Sequence, residues 1–388
     1  MINMPESTAP LLTAHEATER LGVSRQTLYS YVSRGLVRAV AAPGRARRSL
    51  YNAYDVAALM ERRDRGRARR EVATSTTHWG EPILRSALTL IADGSLRYRG
   101  QDVLILAQGA TLEEVAGLLW DLPIPRPMPM ETRFPSGGTP FGRCLRAIAA
   151  EAAQSDQALH PPAVAEGAAR LLSVVAGAIA GKSTGSAQPV HARIAGAWGL
   201  DAAAADLVRR ALVLCADHEL NASAYAARVV ASTGASLAAC ILAGLAALSG
   251  PLHGGSTARV VALAADPEVR RDPLRAFRLR LARGETLPGF GHRLYPQGDP
   301  RAADLLSAAL PSTPWPAMIE AAVALTGLQP TIDVALAMLE DSLPLPRGGG
   351  LALFAAGRTV GWIAHALEQR ADGRLIRPRA EHVSQPDR

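Results

Sequence analysis

Apolar residues recur at helical spacing along most of the chain, and glycine and proline residues separate the predicted helices. Alanine and leucine dominate these apolar positions, whereas runs that alternate apolar and polar residues, which would indicate strands, are scarce. Because alanine and leucine are strong helix formers, the pattern predicts a largely helical protein with close contacts between small side chains. Residues 121–140 are rich in proline and glycine and are predicted to form a loop.

Residues 11–62 form the first predicted unit, which is small and helical. The segment AHEATERLG predicts an amphipathic helix that ends at Gly22, and Ser24 is a good N-cap for a second helix that ends at Gly35. Two short helices joined by a glycine turn are typical of a helix-turn-helix, whose second helix contacts DNA. The candidate DNA contacts on that helix are Arg25, Gln26, Thr27 and Tyr29.

The sequence of this unit resembles the MerR/excisionase-type DNA-binding domain. The matching residues are Ala17, the run LGVS at 21–24, Thr27 and Leu28, Tyr31, and Gly35 and Leu36. The basic stretch at residues 45–48 contains Arg47 and Arg48 and is interpreted as a wing that contacts phosphates, and a third helix is predicted from residue 55. A small helical domain that serves only assembly is the alternative interpretation.

The charge of the chain is concentrated at its N-terminal end. The 388 residues carry 42 Lys and Arg against 35 Asp and Glu, a net charge of +7, and a chain of this length predicts two or three domains. Residues 1–70 contain 13 Arg and 6 acidic residues, which accounts for the whole excess. We therefore predict a helix-turn-helix unit with its linker over residues 1–70 and a second unit over residues 71–388. A basic segment is typical of a nucleic-acid binder, and a solvated basic arm is the alternative.

Cysteine usage and hydropathy indicate a cytoplasmic protein. The three cysteines are isolated and odd in number, with no CxxC spacing, so neither a disulfide framework nor a zinc site is expected. The N-terminal residues lack the basic-then-apolar order of a signal peptide. The most apolar run, residues 235–248, is too short to span a bilayer and is predicted to be a buried helix, so no membrane partner is expected.

Four segments of the second unit concentrate residues that can carry chemistry. They are DHELNASAYAARVVASTGAS, SGPLHGGST, GFGHRLYPQGDPRA, and TIDVAL with the later AGRTVGWIAHALEQ and LIRPRAEH. Any one of their histidines, acids or arginines alone is more typical of a satisfied core residue, a helix cap or an ion pair. The candidate residues are His218, His253, His292, Arg301, Asp333, Arg358 and Arg377.

In series, these segments resemble the citrate synthase family. The shared sequence motifs include DHE-x-N-A-S, G-P-L-H-G-G, G-F-G-H-R-x-Y followed by D-P-R-A, R-T-V-G-W-I-A-H and I-R-P-R. An upstream stretch at residues 92–125 is also similar, so the resemblance covers about residues 80–382. It implies an all-α fold of two domains, in which a small domain near residues 255–345 closes over the substrate, and an obligate homodimer.

The resemblance also implies a reaction and a set of roles. Its substrates are oxaloacetate and acetyl-CoA or propionyl-CoA, with no cofactor or metal. Removing the weakly acidic α-proton of a thioester needs a carboxylate base and a donor to the enol oxygen. By resemblance Asp333 is that base, His253 is the enol donor and His292 polarises the ketone. The residues implied to bind oxaloacetate are His218, Arg301, Arg358 and, from the partner subunit, Arg377.

Three features depart from the family pattern. Pro296 stands where many relatives place a basic residue toward the CoA phosphate, residues 254–258 read GGSTA in place of GGANE, and the segment at about 125–190 is shortened. These departures concern acyl-CoA binding and leave the acid and base residues in place. A transcriptional regulator, whose synthase-like body senses a metabolite, is the alternative function, and the two functions are compatible.

Overall fold

The computed structural model describes residues 11–41, 49–57, 59–60, 84–128, 137–154, 161–182, 187–309, 313–380 and 382. The chain divides into two compact units, Met1–Arg85 and Ser86–Arg388. The predicted boundary at residue 70 and the surrounding charge run lie outside the described residues.

The smaller unit contains the two predicted helices with the predicted caps. Helix α1 spans Ala14–Leu21 and ends at Gly22, whose φ of 58° places it in the left-handed region that favours glycine. Helix α2 spans Arg25–Ser33, and the Ser24 hydroxyl accepts a hydrogen bond from the Thr27 amide, as an N-cap does. The helix-turn-helix pattern read from the sequence is therefore confirmed.

A small antiparallel sheet completes this unit, and the sequence indicated it only through the interpretation of residues 45–48 as a wing. Strands β1 (Leu11–Leu12), β2 (Ala39–Ala41) and β3 (Ser49–Asn52) pair in the order β1-β3-β2, and residues 53–57 are helical. Strands of two to four residues are too short to show an alternating pattern, which is why the composition gave no signal for them. The buried core of the unit consists of Leu12, Ala17, Leu21, Leu28, Val37, Tyr51 and Val56.

The larger unit begins with a second small sheet and continues as helices. Strands β4 (Thr89–Ala92), β5 (Ser95–Tyr98) and β6 (Gln101–Asp102) pair in chain order. The first helices are α3 (Val103–Gly109), α4 (Leu112–Trp120), α5 (Pro140–Gln154), α6 (Pro161–Ala180), α7 (Val190–Trp198) and α8 (Ala202–Leu214). The remaining helices are α9 (Ala222–Ala231), α10 (Leu237–Leu248), α11 (Gly255–Ala265), α12 (Pro267–Arg271), α13 (Pro273–Ala282), α14 (Pro300–Ala309), α15 (Trp315–Thr326), α16 (Ile332–Ser342) and α17 (Gly349–Asp372). The prediction of a largely helical protein is confirmed.

Helix α17 lies at the centre of this unit and is buried along most of its length. It contacts α4, α8, α9 and α10. Close approach depends on glycine, because a Cβ on Gly357 would lie 2.5 Å from the Leu212 carbonyl oxygen, and one on Gly361 would lie 2.5 Å from that of Ala216. These contacts fix α17 against the end of α8, and both elements lead into the site described below.

Two apolar helices are core elements. The run predicted to be a buried helix forms α10, which contributes six buried apolar side chains and one buried glycine to the core. Ala163–Ala180 of α6 is long and apolar enough to cross a membrane, and 61% of that stretch is buried inside the protein, as in a core helix. The three cysteines are free and buried.

Candidate active site

The loop at residues 289–292 is held beside the start of α16. Gly289 and Gly291 have φ values of 83° and 82°, and a Cβ on Gly289 would lie 2.6 Å from Cγ2 of Val260. The Gly291 amide donates to the Gln329 carbonyl at 2.8 Å, and the Thr331 amide donates to the Gly289 carbonyl at 2.8 Å. This pairing brings the loop that carries His292 next to the helix that carries Asp333.

Asp299 holds Arg301 beside this loop and the start of α16. Its buried carboxylate accepts hydrogen bonds from Nε and Nη2 of Arg301 at 2.9 and 2.8 Å, and from the Ile332 amide at 3.0 Å. Burial alone would raise the pKa of Asp299, but the Arg301 guanidinium lowers it below its usual value. The Nε and Nη2 edge of Arg301 is thus paired with Asp299, and the hydrogen bonds of Arg301 within the described residues use this edge.

Tyr295 joins three of the predicted site residues. Its hydroxyl lies 3.0 Å from Nε2 of His218, and its ring centroid lies 5.1 Å from that of His292 and 5.7 Å from the Arg301 guanidinium. Burial raises the pKa of Tyr295 to about 12, so the phenol keeps its proton.

His218 and His292 are neutral at physiological pH, since burial and then the Arg301 charge lower the pKa of both rings. The Leu294 amide donates to Nδ1 of His292 at 3.2 Å, so a neutral His292 carries its proton on Nε2. In this tautomer His292 is a hydrogen-bond donor, as polarisation of a carbonyl requires.

His253 lies on the turn between α10 and α11. A Cβ on the next residue, Gly254, would lie 2.5 Å from the Leu248 carbonyl, so the turn requires glycine. Burial and then the Arg358 charge lower the pKa of His253 to about 4. Nε2 of His253 lies 2.8 Å from the hydroxyl of Ser223.

The proton of Ser223 decides the tautomer of His253. The Ser223 hydroxyl donates to Oδ1 of Asn221 at 2.7 Å, an oxygen that also accepts the amides of Ser223 and Ala224. With its proton directed at Asn221, the Ser223 oxygen accepts from Nε2 of His253, and the neutral ring carries its proton there. A rotation of the Ser223 hydroxyl toward Nε2 would move the ring proton to Nδ1.

Arg358 offers the clearest anchor for an anion. It is 1% exposed in the middle of α17, and its Nε donates to the Cys215 carbonyl at 2.8 Å. Its Nη2 is buried and has no hydrogen-bond partner among the described residues. A buried donor left unsatisfied costs about 1–3 kcal/mol, more when charged, so this group favours an anionic ligand. Burial lowers the pKa of Arg358, and the Asp217 carboxylate opposes that effect.

Asp333 lies in the first turn of α16 and is partly exposed. The Thr257 hydroxyl donates to its Oδ1 at 2.6 Å. Burial raises the pKa of Asp333, against the opposing effect of this hydrogen bond. A carboxylate with a raised pKa is a stronger base than an ordinary aspartate, and it is the residue for which the sequence predicted that role.

Arg377 is placed differently from the other candidates. It is exposed on the segment that follows α17, where the neighbouring Ile376 amide donates to the Ser232 hydroxyl at 3.1 Å. Among the described residues, none of the hydrogen bonds or ring contacts connects Arg377 to the other six site residues. A role across a subunit interface therefore stays a prediction.

The structure adds Tyr295, Ser223, Thr257 and Asp299 to the site. All four lie inside the quoted motifs, so the sequence contained a signal for their involvement in the site. Asp299 lies two residues before Arg301 and holds its guanidinium directly. Nothing in the sequence indicated that Thr257 contacts Asp333, 76 residues away.

Four of the six candidate DNA contacts of the smaller unit lie on helix α2. Arg25, Gln26 and Tyr29 are exposed, with Tyr29 at 57%, while Thr27 is half-buried and its hydroxyl lies 2.9 Å from that of Ser24. Arg47 and Arg48 lie outside the described residues, between the paired strands β2 and β3.

Family comparisons assign both parts of the chain. Residues 77–379 match the family described as Citrate synthase, C-terminal domain, and residues 11–64 match a helix-turn-helix domain. The crystal structure of citrate synthase from Thermotoga maritima MSB8 is 28% identical, with a TM-score of 0.65 over 79% of this chain and 95% of its own. Citrate synthase from Thermoplasma acidophilum, solved with carboxymethyl coenzyme A and oxaloacetate, is 27% identical, with a TM-score of 0.66 over the same shares.

Several curated relatives are similar over different lengths. Citrate synthase 2 of Bacillus subtilis is 32% identical over 351 residues, which cover 78% of this chain and 94% of that protein. Putative citrate synthase 2 of Mycobacterium tuberculosis is 35% identical over 244 residues, and the match spans 60% of this chain and 62% of the relative. The 2-methylcitrate synthase of Shewanella oneidensis is 34% identical over 44% of this chain and 48% of its own length.

Proposed function

The chain belongs to the citrate synthase family, and we propose that it joins the α-carbon of a short acyl-CoA to the ketone of oxaloacetate and then hydrolyses the thioester. The observation that carries this proposal is the convergence of one carboxylate with neutral histidines and buried guanidinium groups. Burial raises the pKa of Asp333, and Arg358 presents a buried donor near His253 that has no partner among the described residues.

Oxaloacetate is anchored by the cationic side of the site. Its carboxylates meet Nη2 of Arg358 and Nη1 of Arg301, and His218 adds a further donor. Charge-assisted hydrogen bonds of this kind are about twice as strong as neutral ones. In this proposal Arg377 completes the clamp from the partner subunit of a homodimer. Mixing an inactive Arg377 variant with an inactive Asp333 variant would then restore activity.

The carbon–carbon bond forms between the two halves of the site. Asp333 takes the α-proton of the acyl-CoA while the neutral His253 donates a hydrogen bond to the thioester oxygen. The resulting enol attacks the ketone carbon of oxaloacetate, and His292 donates from Nε2 to the oxygen that becomes an alcohol. Water then cleaves the thioester and releases free CoA. Positioned acid and base groups of this kind contribute about 10²–10⁴-fold each.

A thiol-release assay tests the proposal. Acetyl-CoA, propionyl-CoA and butyryl-CoA are offered in turn with oxaloacetate, and we expect free CoA to appear with at least one of them only when oxaloacetate is present. Saturable oxaloacetate binding without release from any acyl-CoA would refute the enzyme and favour a metabolite-sensing regulator. We place the enzyme in the cytoplasm, consistent with three free, buried cysteines.

We propose duplex DNA as a second partner, bound by the smaller unit. The exposed Arg25, Gln26 and Tyr29 on α2 support this, together with the excess of positive charge in residues 1–70. Affinity is measured on mixed-sequence duplexes at several salt concentrations, and we expect it to fall steeply as salt rises. A double variant, R25A/Q26A, tests the helix, and equal retention of DNA by this variant and the wild type would exclude α2 as the contact.

A further inference from the structure

We propose that Thr257 is a positioning residue for the reaction, which holds Oδ1 of Asp333 and leaves Oδ2 as the oxygen that accepts the α-proton. This inference rests on the function proposed above and concerns the same site.

The two side chains meet where two helices begin. Thr257 lies in the first turn of α11 and is 1% exposed, and Asp333 lies in the first turn of α16. The helices pack against each other, and the Thr257 hydroxyl reaches Oδ1 at 2.6 Å. A β-branched threonine has few rotamers in a helix, so the packing of α11 fixes the direction of this donor.

The length of this contact matches an ionised acceptor. Hydroxyl donors approach carboxylates at about 2.5–2.7 Å, and such bonds are about twice as strong as neutral ones. A donor to the charged form favours ionisation, which opposes the raising of the pKa of Asp333 by burial. Thr257 therefore keeps a buried base ionised without removing its basicity.

The other groups that face Asp333 do not replace this donor. The Thr331 hydroxyl is 3.5 Å from Oδ2, beyond the usual length of an O–H···O bond. Arg301 and Asp299, from the start of α14, act on Asp333 through charge in opposite directions, and the Cys215 thiol at the end of α8 also faces it. Among the described residues, Thr257 is the side chain that donates to this carboxylate at ordinary hydrogen-bond length.

Position 257 lies in the segment where the sequence departs from the family wording. The departure at residues 254–258 was expected to concern acyl-CoA binding. The geometry instead places Thr257 of this segment on Asp333, so the choice of residue at position 257 tunes the base.

The experiment compares Thr257→Val, Thr257→Ser and wild type by their pH profiles of kcat, with the acyl-CoA that the wild type turns over. Valine keeps the shape and removes the donor, so we expect the acid limb to move up by about one pH unit. At pH values below the acid limb, the kcat of Thr257→Val is about tenfold lower than that of the wild type, while the KM for oxaloacetate stays within about twofold. Serine restores the donor and returns the limb to its wild-type position.

The matched control is Thr359→Val, which removes another fully buried hydroxyl, one that bonds the Ala355 carbonyl of its own helix. This control leaves the limb in place. If Thr257→Val does not fold, Thr257→Ala is measured with the same expectation. If the wild type turns over but the acid limb of the Thr257→Val or Thr257→Ala profile does not move, the inference about Thr257 is wrong and the proposed function stands. If the wild type does not turn over, the proposed function itself is wrong.

Discussion

The two units of this chain present their candidate residues in opposite ways. On α2 of the smaller unit, Arg25, Gln26 and Tyr29 are exposed and carry their charge into solvent. In the larger unit, His218, Arg301 and Arg358 are at least 93% buried, and each is held by a named neighbour.

This difference in exposure indicates which kind of ligand each unit can bind. Exposed basic groups act over a Debye length and are screened by salt, so they suit attraction to a polyanion such as DNA. Buried, preorganised donors act at short range in a medium where charge is poorly screened, so they suit one small anion in one orientation. We therefore expect changes in the larger unit to alter activity strongly, and changes on α2 to alter salt-dependent binding.

The largest effect expected on substrate binding comes from Arg358→Met. This substitution removes the unpartnered buried donor while keeping most of the side-chain volume. Hydrogen bonds to charged groups contribute about 1.5–3 kcal/mol, so the KM for oxaloacetate rises about 10–100-fold while the KM for acyl-CoA changes little. Steady-state kinetics with each substrate varied in turn checks this, and an unchanged KM for oxaloacetate would place its carboxylates elsewhere.

A smaller effect concerns stability below pH 6.5. The pKa of His253 is lowered to about 4 in the folded protein, whereas an unfolded histidine titrates near its usual value of about 6.5. The unfolded state therefore binds more protons between these values, and the stability that neutral His253 contributes above about pH 6.5 is lost as the pH falls toward 4. Between pH 7 and 4, the melting temperature of His253→Gln should fall less with decreasing pH than that of the wild type. Parallel curves of melting temperature against pH for the two proteins would contradict this prediction.

The smallest effect sharpens the contrast between the units. R25A/Q26A should reduce the salt slope of DNA binding by about one, because one phosphate contact is lost, while turnover stays within about twofold. Arg358→Met should do the reverse, with DNA affinity unchanged. Measuring both variants in both assays checks this, and a loss of turnover in the α2 variant would show that the units are coupled.

The sequence motifs predicted the candidate catalytic residues, since His253, His292 and Asp333 each belong to a long and specific run. The strands of the two small sheets were not predicted, although one signal was present. Asp93 and Gly94 join β4 to β5 with positive φ values of 50° and 72°, the usual preference of a two-residue hairpin. Tertiary contacts such as Thr257 to Asp333 had no signal, because helix packing across 76 residues creates them.

The contact between Arg301 and Asp299 also could not be predicted from the sequence, although the two residues are only two positions apart. In the sequence, Asp299 lies two residues before Arg301. In the structure the Asp299 carboxylate itself binds the paired edge of Arg301 and also caps the start of α16. Spacing alone does not say whether an acid beside an arginine braces the backbone or pairs with the side chain.

The most direct test of the central claim is the rate of CoA release by Asp333→Asn beside the wild type, with oxaloacetate binding measured on both. The amide keeps the shape of the side chain and cannot accept the α-proton as a base. We predict a fall in kcat of at least ~10²-fold with the oxaloacetate Kd unchanged. A folded Asn variant that releases CoA within threefold of the wild-type rate would contradict the assignment of Asp333 as the base.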